Sequence, residues 1–203
     1  DKECGLNEIK TDGIDAIIAA DSGMDFLYEN GVTPDIIVGD FDSATTKALE
    51  FFERKGQTEI RRLNPIKDDT DTEYAIRLAI SEGARSIVVL GATGSRIDHV
   101  LGNISLLGIG LESGTDISII DTNNRIRMAD KPVTIEKSAQ YGRFVSLIAL
   151  TDDNEVSLKG FKYPVTDYSF DRFTSLGISN EIVDDHALID IHRGKFIIIE
   201  SKD

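Results

Sequence analysis

The sequence contains little of what several classes of protein require. Its 203 residues include one cysteine, Cys4, and no tryptophan. A single cysteine excludes an intrachain disulfide and a cysteine metal cluster, and we expect a protein of a reducing compartment, the cytoplasm. The longest apolar runs, such as 16–20 and 197–199, are far too short to span a bilayer, and the first residues show no signal-type apolar stretch.

Basic residues are also scarce. Lys and Arg number 22 against 36 Asp and Glu, which gives a net charge of −14 at pH 7. A protein that binds duplex nucleic acid or an anionic membrane needs a basic face, so we predict neither partner. An anionic substrate would reach such a surface through a bridging cation, so the composition favours a search for a metal site.

Up to residue 122, strand-like and helix-like segments alternate. Short apolar runs predict strands at 14–20, 35–39, 59–63, 86–91 and 116–121. Segments with helical spacing of apolar residues predict helices at 22–30, 45–55, 72–82 and 98–111. This alternation is typical of a mostly parallel sheet covered by helices, whose ligands bind beyond the carboxyl ends of the strands.

Beyond residue 122 the helical spacing disappears. Short runs that alternate apolar and polar residues follow one another, separated by turn residues, and they predict an antiparallel sandwich or roll. The sequence therefore predicts an α/β domain with a mostly parallel sheet over 1–123, followed by an all-β sandwich domain over 124–203.

Aspartates follow several predicted strands of the first domain. The groups are Asp21, the pair Asp40 and Asp42 in GDFDS, the trio Asp68, Asp69 and Asp71 in KDDTD, and Asp98 in GATGSRIDH. Because the carboxyl ends of parallel strands meet at one edge, all four groups are expected to converge there. Crowded carboxylates repel each other, and a hard divalent cation such as Mg²⁺ relieves that repulsion.

Each aspartate also has a simpler interpretation. A lone aspartate after a strand is most often the N-cap of the next helix, and both Asp71 and Asp98 precede predicted helices. Asp69 fits a solvated turn. The pair Asp40 and Asp42 favours the metal interpretation, because one cap needs only one carboxylate.

The glycine-rich segment 91–99 also has two interpretations. Gly91 and Gly94 lie between a strand and a helix, where backbone N–H groups can approach a phosphate, and Arg96 would add a bidentate contact. The alternative is an ordinary glycine-rich turn; the patterns GxxxxGK[ST] and GxGxxG are absent. His99 is interpreted as structural and His192 as a strand surface residue, and the sequence supports no Ser/His/Asp arrangement.

Five segments together carry a resemblance. They are AADSG at 19–23, PDIIVGDFDS at 34–43, KDDTDTE at 67–73, GATGSRIDHVLGN at 91–103 and SLGISNE at 175–181. In these motifs and their order, over nearly the whole chain, the sequence resembles the thiamine pyrophosphokinases. The resemblance implies a nucleotide-binding α/β domain, a β-sandwich domain, and a homodimer with active sites between subunits.

The resemblance also implies roles for individual residues. The metal and triphosphate residues would be Asp21, Asp40, Asp42 and Asp71, with Asp68 at the other acidic position of its motif. The nucleotide contacts would be Gly91, Gly94 and Arg96, with Asp98, His99 and Asn103 ordering that loop. Ser179 and Asn180 would help to hold thiamine, and the catalytic set would be Asp40, Asp42, Asp71 and Arg96.

The implied reaction transfers a pyrophosphoryl group from ATP to the hydroxyl of thiamine, with Mg²⁺ as cofactor and AMP as second product. Two departures accompany the resemblance: the further N-terminal strand and glycine-containing loop usual in the family are not found before Ile14, and the tryptophan that vertebrate members place on the thiamine pyrimidine is absent. The candidate replacements are Phe161, Tyr163, Tyr168, Phe170 and Phe173. Two alternatives stay open, a metal-dependent phosphoesterase or nucleotide hydrolase with the same aspartates and a non-catalytic nucleotide sensor.

Overall fold

The computed structural model describes residues 2–10, 13–41, 46–64 and 69–203. The helices are α1 (Lys2–Ile9), α2 (Gly23–Glu29), α3 (Thr46–Lys55), α4 (Asp71–Ser81) and α5 (Ile97–Ser113). The strands are β1 (Ile18–Ala20), β2 (Ile36–Gly39), β3 (Glu59–Arg62), β4 (Ser86–Leu90), β5 (Asp116–Ile120), β6 (Asn124–Ala129), β7 (Val133–Glu136), β8 (Phe144–Ala149), β9 (Glu155–Lys159), β10 (Val165–Ser169), β11 (Asn180–Glu181), β12 (His186–Arg193) and β13 (Phe196–Ser201). In these described parts of the chain, no helix is both long enough and apolar enough to cross a membrane.

The chain forms two compact units, Asp1–Arg85 and Ser86–Asp203. In the first, β1, β2 and β3 lie side by side in a parallel sheet. The fully buried side chains of Met24, Ile37 and Phe52 hold α2 and α3 against this sheet. Because neighbouring strands run in the same direction, their carboxyl ends lie at one edge.

The second unit contains two sheets. One is mixed, with the strand order β11-β8-β13-β6-β5-β4, and the other is antiparallel, with the order β10-β9-β12-β7. Buried residues of both sheets belong to one hydrophobic cluster, among them Val145, Val156, Ile189 and Ile198. A mostly parallel α/β sheet followed by a β-rich part agrees in outline with the predicted fold class. The strands predicted at 86–91 and 116–121 differ from the prediction, because β4 and β5 belong to the mixed sheet of the second unit and not to the parallel sheet of β1, β2 and β3.

The two units divide at residue 85/86, earlier than the change of sequence pattern at 123/124. The reason is the pairing of β4, β5 and β6: β4 runs parallel to β5, and β5 forms an antiparallel hairpin with β6. The predicted boundary thus falls in the turn of a hydrogen-bonded hairpin, and hydrogen bonds join the segments on either side of it.

A fully buried carboxylate, Glu200, links three segments of the second unit. Its oxygens accept hydrogen bonds from Arg125 Nη2 at 2.7 Å, from Arg127 Nη2 at 2.9 Å and from the Tyr141 backbone N–H at 2.9 Å. Both arginine side chains are themselves mostly buried, so this carboxylate is their local counter-charge.

We expect Glu200→Gln to lower the free energy of unfolding by about 3–5 kcal/mol, because it leaves two guanidinium groups without a buried counter-charge. Urea denaturation measures this loss. The matched control is Glu50→Gln, which removes an exposed i,i+4 pair with Arg54 and should cost about 0.3–0.5 kcal/mol. Equal losses in the two variants would contradict the role given to Glu200.

Candidate active site

Asp21 leaves the end of β1 in an unusual backbone conformation. Its φ of 45° lies in the left-handed region, which aspartate tolerates better than most residues. Its N–H donates to the carbonyl oxygen of Val38 on β2 at 2.8 Å. The half-buried side chain is therefore held at the carboxyl edge of the parallel sheet.

Gly39 allows the ends of β1 and β2 to approach each other. A Cβ atom at this position would lie 3.2 Å from the Cα atom of Asp21 and equally close to the ring of Phe41. Contacts this short are tighter than ordinary van der Waals contacts, so a side chain here would require the Asp21 backbone or the Phe41 ring to give way by a few tenths of an ångström. Asp40 follows Gly39 directly and is also half-buried.

Asp71 reaches the same edge from α4. The helix is capped by Thr70, whose hydroxyl accepts from the Glu73 N–H at 3.2 Å, so the capping role considered for Asp71 belongs to its neighbour. Asp71 instead occupies the first helical turn, where the helix dipole favours a negative charge.

The side chains of Asp21, Asp40 and Asp71 converge. One carboxylate oxygen from each lies within 4.8 Å of the others, and all three residues are half-buried. Mg²⁺ binds oxygens at about 2.0–2.1 Å, so oxygens on opposite sides of the ion lie roughly twice that distance apart. Three carboxylates with this spread therefore fit a divalent cation after small side-chain adjustments. The other predicted ligands, Asp42 and Asp68, lie outside the described residues.

The glycine-rich loop belongs to the second unit, after β4. Gly91 has a φ of 73°, which favours glycine. The Asn103 side chain donates to the Ala92 carbonyl oxygen at 2.9 Å and so joins α5 to the loop. The predicted convergence of this loop, with Gly94, on the carboxylates stays a prediction.

Arg96 and Asp98 form a two-point ion pair in that loop. Arg96 Nη2 donates to Asp98 Oδ2 at 2.6 Å, and its Nε donates to Oδ1 at 3.2 Å. The hydrogen bond from Arg96, assisted by the His99 N–H, lowers the pKa of Asp98 to about 2. The N-cap residue of α5 is Arg96, and no side chain forms a capping hydrogen bond there. Asp98 therefore does not cap the helix and binds the Arg96 side chain instead.

Asp121 is a residue that the sequence analysis missed. It follows β5 directly, at the same edge as the glycine-rich loop after β4. Its Oδ1 accepts from the N–H groups of Asn123 and Asn124 at 2.8 and 2.7 Å. Burial raises the pKa of Asp121, but hydrogen bonds from the Thr93 side chain and from these two asparagines outweigh it and lower the pKa. The available signal was its position after a parallel strand.

Ser179 lies directly before β11, and Asn180 is the first residue of that strand. Ser179 has a φ of 61°, and its N–H donates to the hydroxyl of Ser146 at 3.0 Å. The buried Asn180 side chain forms two hydrogen bonds with the backbone of Tyr163. It accepts from the Tyr163 N–H at 3.1 Å and donates to the Tyr163 carbonyl oxygen at 3.0 Å. Asn180 thus has a structural role, whatever it contributes to a ligand.

The five aromatic residues considered as replacements for the missing tryptophan differ in burial. Phe161 and Phe170 belong to the hydrophobic cluster of the second unit and are not accessible. Tyr163, Tyr168 and Phe173 are exposed, with Phe173 at 90%. Of the five candidates, these three are the ones with an exposed ring.

Comparisons with known proteins match members of the same family over most of the chain. The model of the thiamin pyrophosphokinase catalytic domain matches residues 10–119, and that of the thiamin pyrophosphokinase vitamin B1 binding domain matches residues 132–196. A thiamine pyrophosphokinase of Bacillus subtilis strain 168 is 34% identical over 188 residues, 92% of this chain and 87% of its own.

Solved structures give the same result. A crystal structure of thiamine pyrophosphokinase from Bacillus subtilis has a TM-score of 0.89 at 32% identity, covering 100% of this chain and 93% of its own. That of thiamin pyrophosphokinase from Geobacillus thermodenitrificans has a TM-score of 0.85 at 29% identity, covering 98% and 91%. With both family models matched in order, the chain belongs to the thiamine pyrophosphokinase family.

Proposed function

We propose that this chain transfers a pyrophosphoryl group from ATP to the hydroxyl of thiamine, giving thiamine diphosphate and AMP. The observation that carries the proposal is the convergence of Asp21, Asp40 and Asp71, in a chain of this family. A triphosphate would be repelled by a chain with a net charge of −14 unless a cation lay between them.

Mg²⁺ is the proposed cofactor. Asp21, Asp40 and Asp71 would hold it, with Asp42 and Asp68 as further proposed ligands. Bound there, the ion would neutralise charge on the triphosphate. The carboxylates themselves would fix the position of the ion at the sheet edge.

Arg96 is the proposed cationic contact to the triphosphate. A guanidinium carries five N–H donors, and Asp98 accepts hydrogen bonds from two of them, on Nε and Nη2. The remaining donors can bind phosphate oxygens while Asp98, ionised at neutral pH, holds the group in place. Backbone N–H groups at Gly91 and Gly94 would add uncharged donors.

Thiamine is proposed to bind through the second domain. Ser179 and Asn180 are the proposed contacts, and Tyr163, Tyr168 or Phe173 offers an exposed aromatic surface. The domain division proposed from the sequence, 1–123 and 124–203, falls between the two family matches. We also propose a homodimer with active sites between subunits and a cytoplasmic location.

In the proposed transfer, the thiamine hydroxyl oxygen bonds to the β-phosphorus, and its proton is released to the solvent. The bond between the β-phosphorus and the oxygen bridging it to the α-phosphorus breaks, and AMP leaves with that oxygen. Such reactions depend mainly on positioning and charge stabilisation. Family membership favours this transfer over the hydrolase and sensor alternatives.

ATP labelled at the β-phosphorus should give labelled thiamine diphosphate and an equal amount of AMP, and product chromatography measures both. A hydrolase would release phosphate or pyrophosphate from ATP without thiamine, and a sensor would bind ATP without turnover. ADP and thiamine monophosphate as first products would contradict attack at the β-phosphorus.

Asp40→Asn and Asp71→Asn should each lower turnover by about 100-fold or more, since even residues outside the first coordination shell commonly cost 10- to 100-fold. Melting temperature without ligand should hold or rise, because each change relieves repulsion among the carboxylates. Asp69→Asn, an exposed neighbour of Asp71, is the matched control and should retain normal turnover. Near-normal turnover of either site variant at saturating Mg²⁺ would contradict the metal assignment.

A further inference from the structure

A second polar cluster lies on the antiparallel sheet, and we call it the Ser157 cluster. It joins Ser157 on β9, Asp167 on β10 and His192 on β12. Ser157 Oγ lies 2.9 Å from His192 Nε2, and Asp167 Oδ1 lies 3.3 Å from the same nitrogen. No sequence pattern joins these residues, and the alternation along the strand predicts that His192 is only a surface residue.

The Ser157 cluster is not a hydrolase triad. Ser157 is 2% exposed, so a substrate cannot reach its hydroxyl. In a triad the carboxylate binds the ring nitrogen opposite the one that faces the serine. Here Ser157 and Asp167 both lie at Nε2 of His192, so the ring cannot pass a proton between them as a triad does.

The geometry indicates a structural role at two strand irregularities. The register of β10 shifts by one residue in the segment that contains Asp167, and the register of β12 shifts by one residue at His192. The β10 shift lies opposite Ser157 and the β12 shift lies opposite Val156 and Glu155, all on β9, which lies between the two strands. β-Bulges of this kind bend a strand and redirect its side chains.

Asp167 is held in a strained conformation by these contacts. Its φ of 46° is in the left-handed region. Its N–H donates to Ser157 Oγ at 2.9 Å, and the Ser157 hydroxyl donates back to Asp167 Oδ1 at 3.2 Å. His192 Nε2 lies within hydrogen-bond distance of the same hydroxyl, and the direction of that hydrogen bond depends on the tautomer of the ring.

The strand held in this way leads to the segment proposed to bind thiamine. Three residues after Asp167, the Phe170 N–H donates to the Asn154 carbonyl at 2.9 Å. The chain then runs through 171–176 to Gly177, whose carbonyl accepts from the Leu147 N–H at 2.9 Å. Segment 171–179 therefore begins directly after β10, at the buried Phe170.

We propose that Ser157, Asp167 and His192 form a clamp that positions segment 171–179 and thereby sets the affinity for thiamine. They are positioning residues, and this role rests on the proposed function. Strained residues that the surrounding structure holds in place tend to occur where geometry matters for function. We expect the clamp to affect binding of thiamine and not of ATP, because the residues proposed for the nucleotide lie in other segments.

The test uses His192→Ala and Asp167→Asn in the full chain. His192→Ala should speed amide exchange across 171–179 by about tenfold, the change expected when one ordinary hydrogen bond is lost. It should raise KM for thiamine about as much while KM for ATP stays within about twofold. Asp167→Asn should have a smaller effect, since asparagine tolerates the left-handed region and keeps an acceptor.

The matched control is His186→Ala, on the same strand. Its amide exchange rates across 171–179 and its KM values for thiamine and ATP should equal those of the unchanged protein. Unaltered exchange in both clamp variants, or an equal rise of the two KM values, would overturn the proposal. If the unchanged protein makes no thiamine diphosphate, the proposed function fails, and the exchange rates alone decide whether the clamp positions the segment.

Discussion

The crowding of three carboxylates at one sheet edge is the constraint on which the site depends. Asp21 and Asp40 are brought together because β1 and β2 run parallel and because Gly39 has no side chain at their closest approach. Asp71 joins them through a helix that Thr70 caps. Three half-buried negative charges within 4.8 Å are unfavourable alone and favourable around a cation. The local cost of this crowding in folding would be offset by binding of the proposed cation.

The sequence predicts the strand–helix order of the first part well. The helix predicted at 45–55 and the strand predicted at 35–39 lie within one residue of the observed α3 and β2. Such segments combine clear apolar spacing with glycine or proline at their ends. The helix α1 and the strands β10 and β11 were not predicted, because short polar segments acquire their structure from pairing and packing with distant residues.

Contacts that do not follow from the meeting of parallel strand ends could not be predicted from the sequence. Convergence of Asp21, Asp40 and Asp71 follows from one general property of parallel sheets, so it could be predicted. The Ser157 cluster depends on two one-residue register shifts on either side of β9, and no sequence pattern marks these. The pairing of β5 with β6 likewise joins segments that a change of pattern separates. Periodicity reports the type of an element, while its partners depend on the whole fold.

The central claim is that Asp21, Asp40 and Asp71 bind one divalent cation together. A crystal structure with Mn²⁺ and a non-hydrolysable ATP analogue tests this directly, because manganese gives an anomalous signal that locates the ion. The account predicts an anomalous peak within about 2.5 Å of a carboxylate oxygen of each of the three aspartates. A manganese ion bound only by other residues, with these carboxylates turned away from it, would contradict the account.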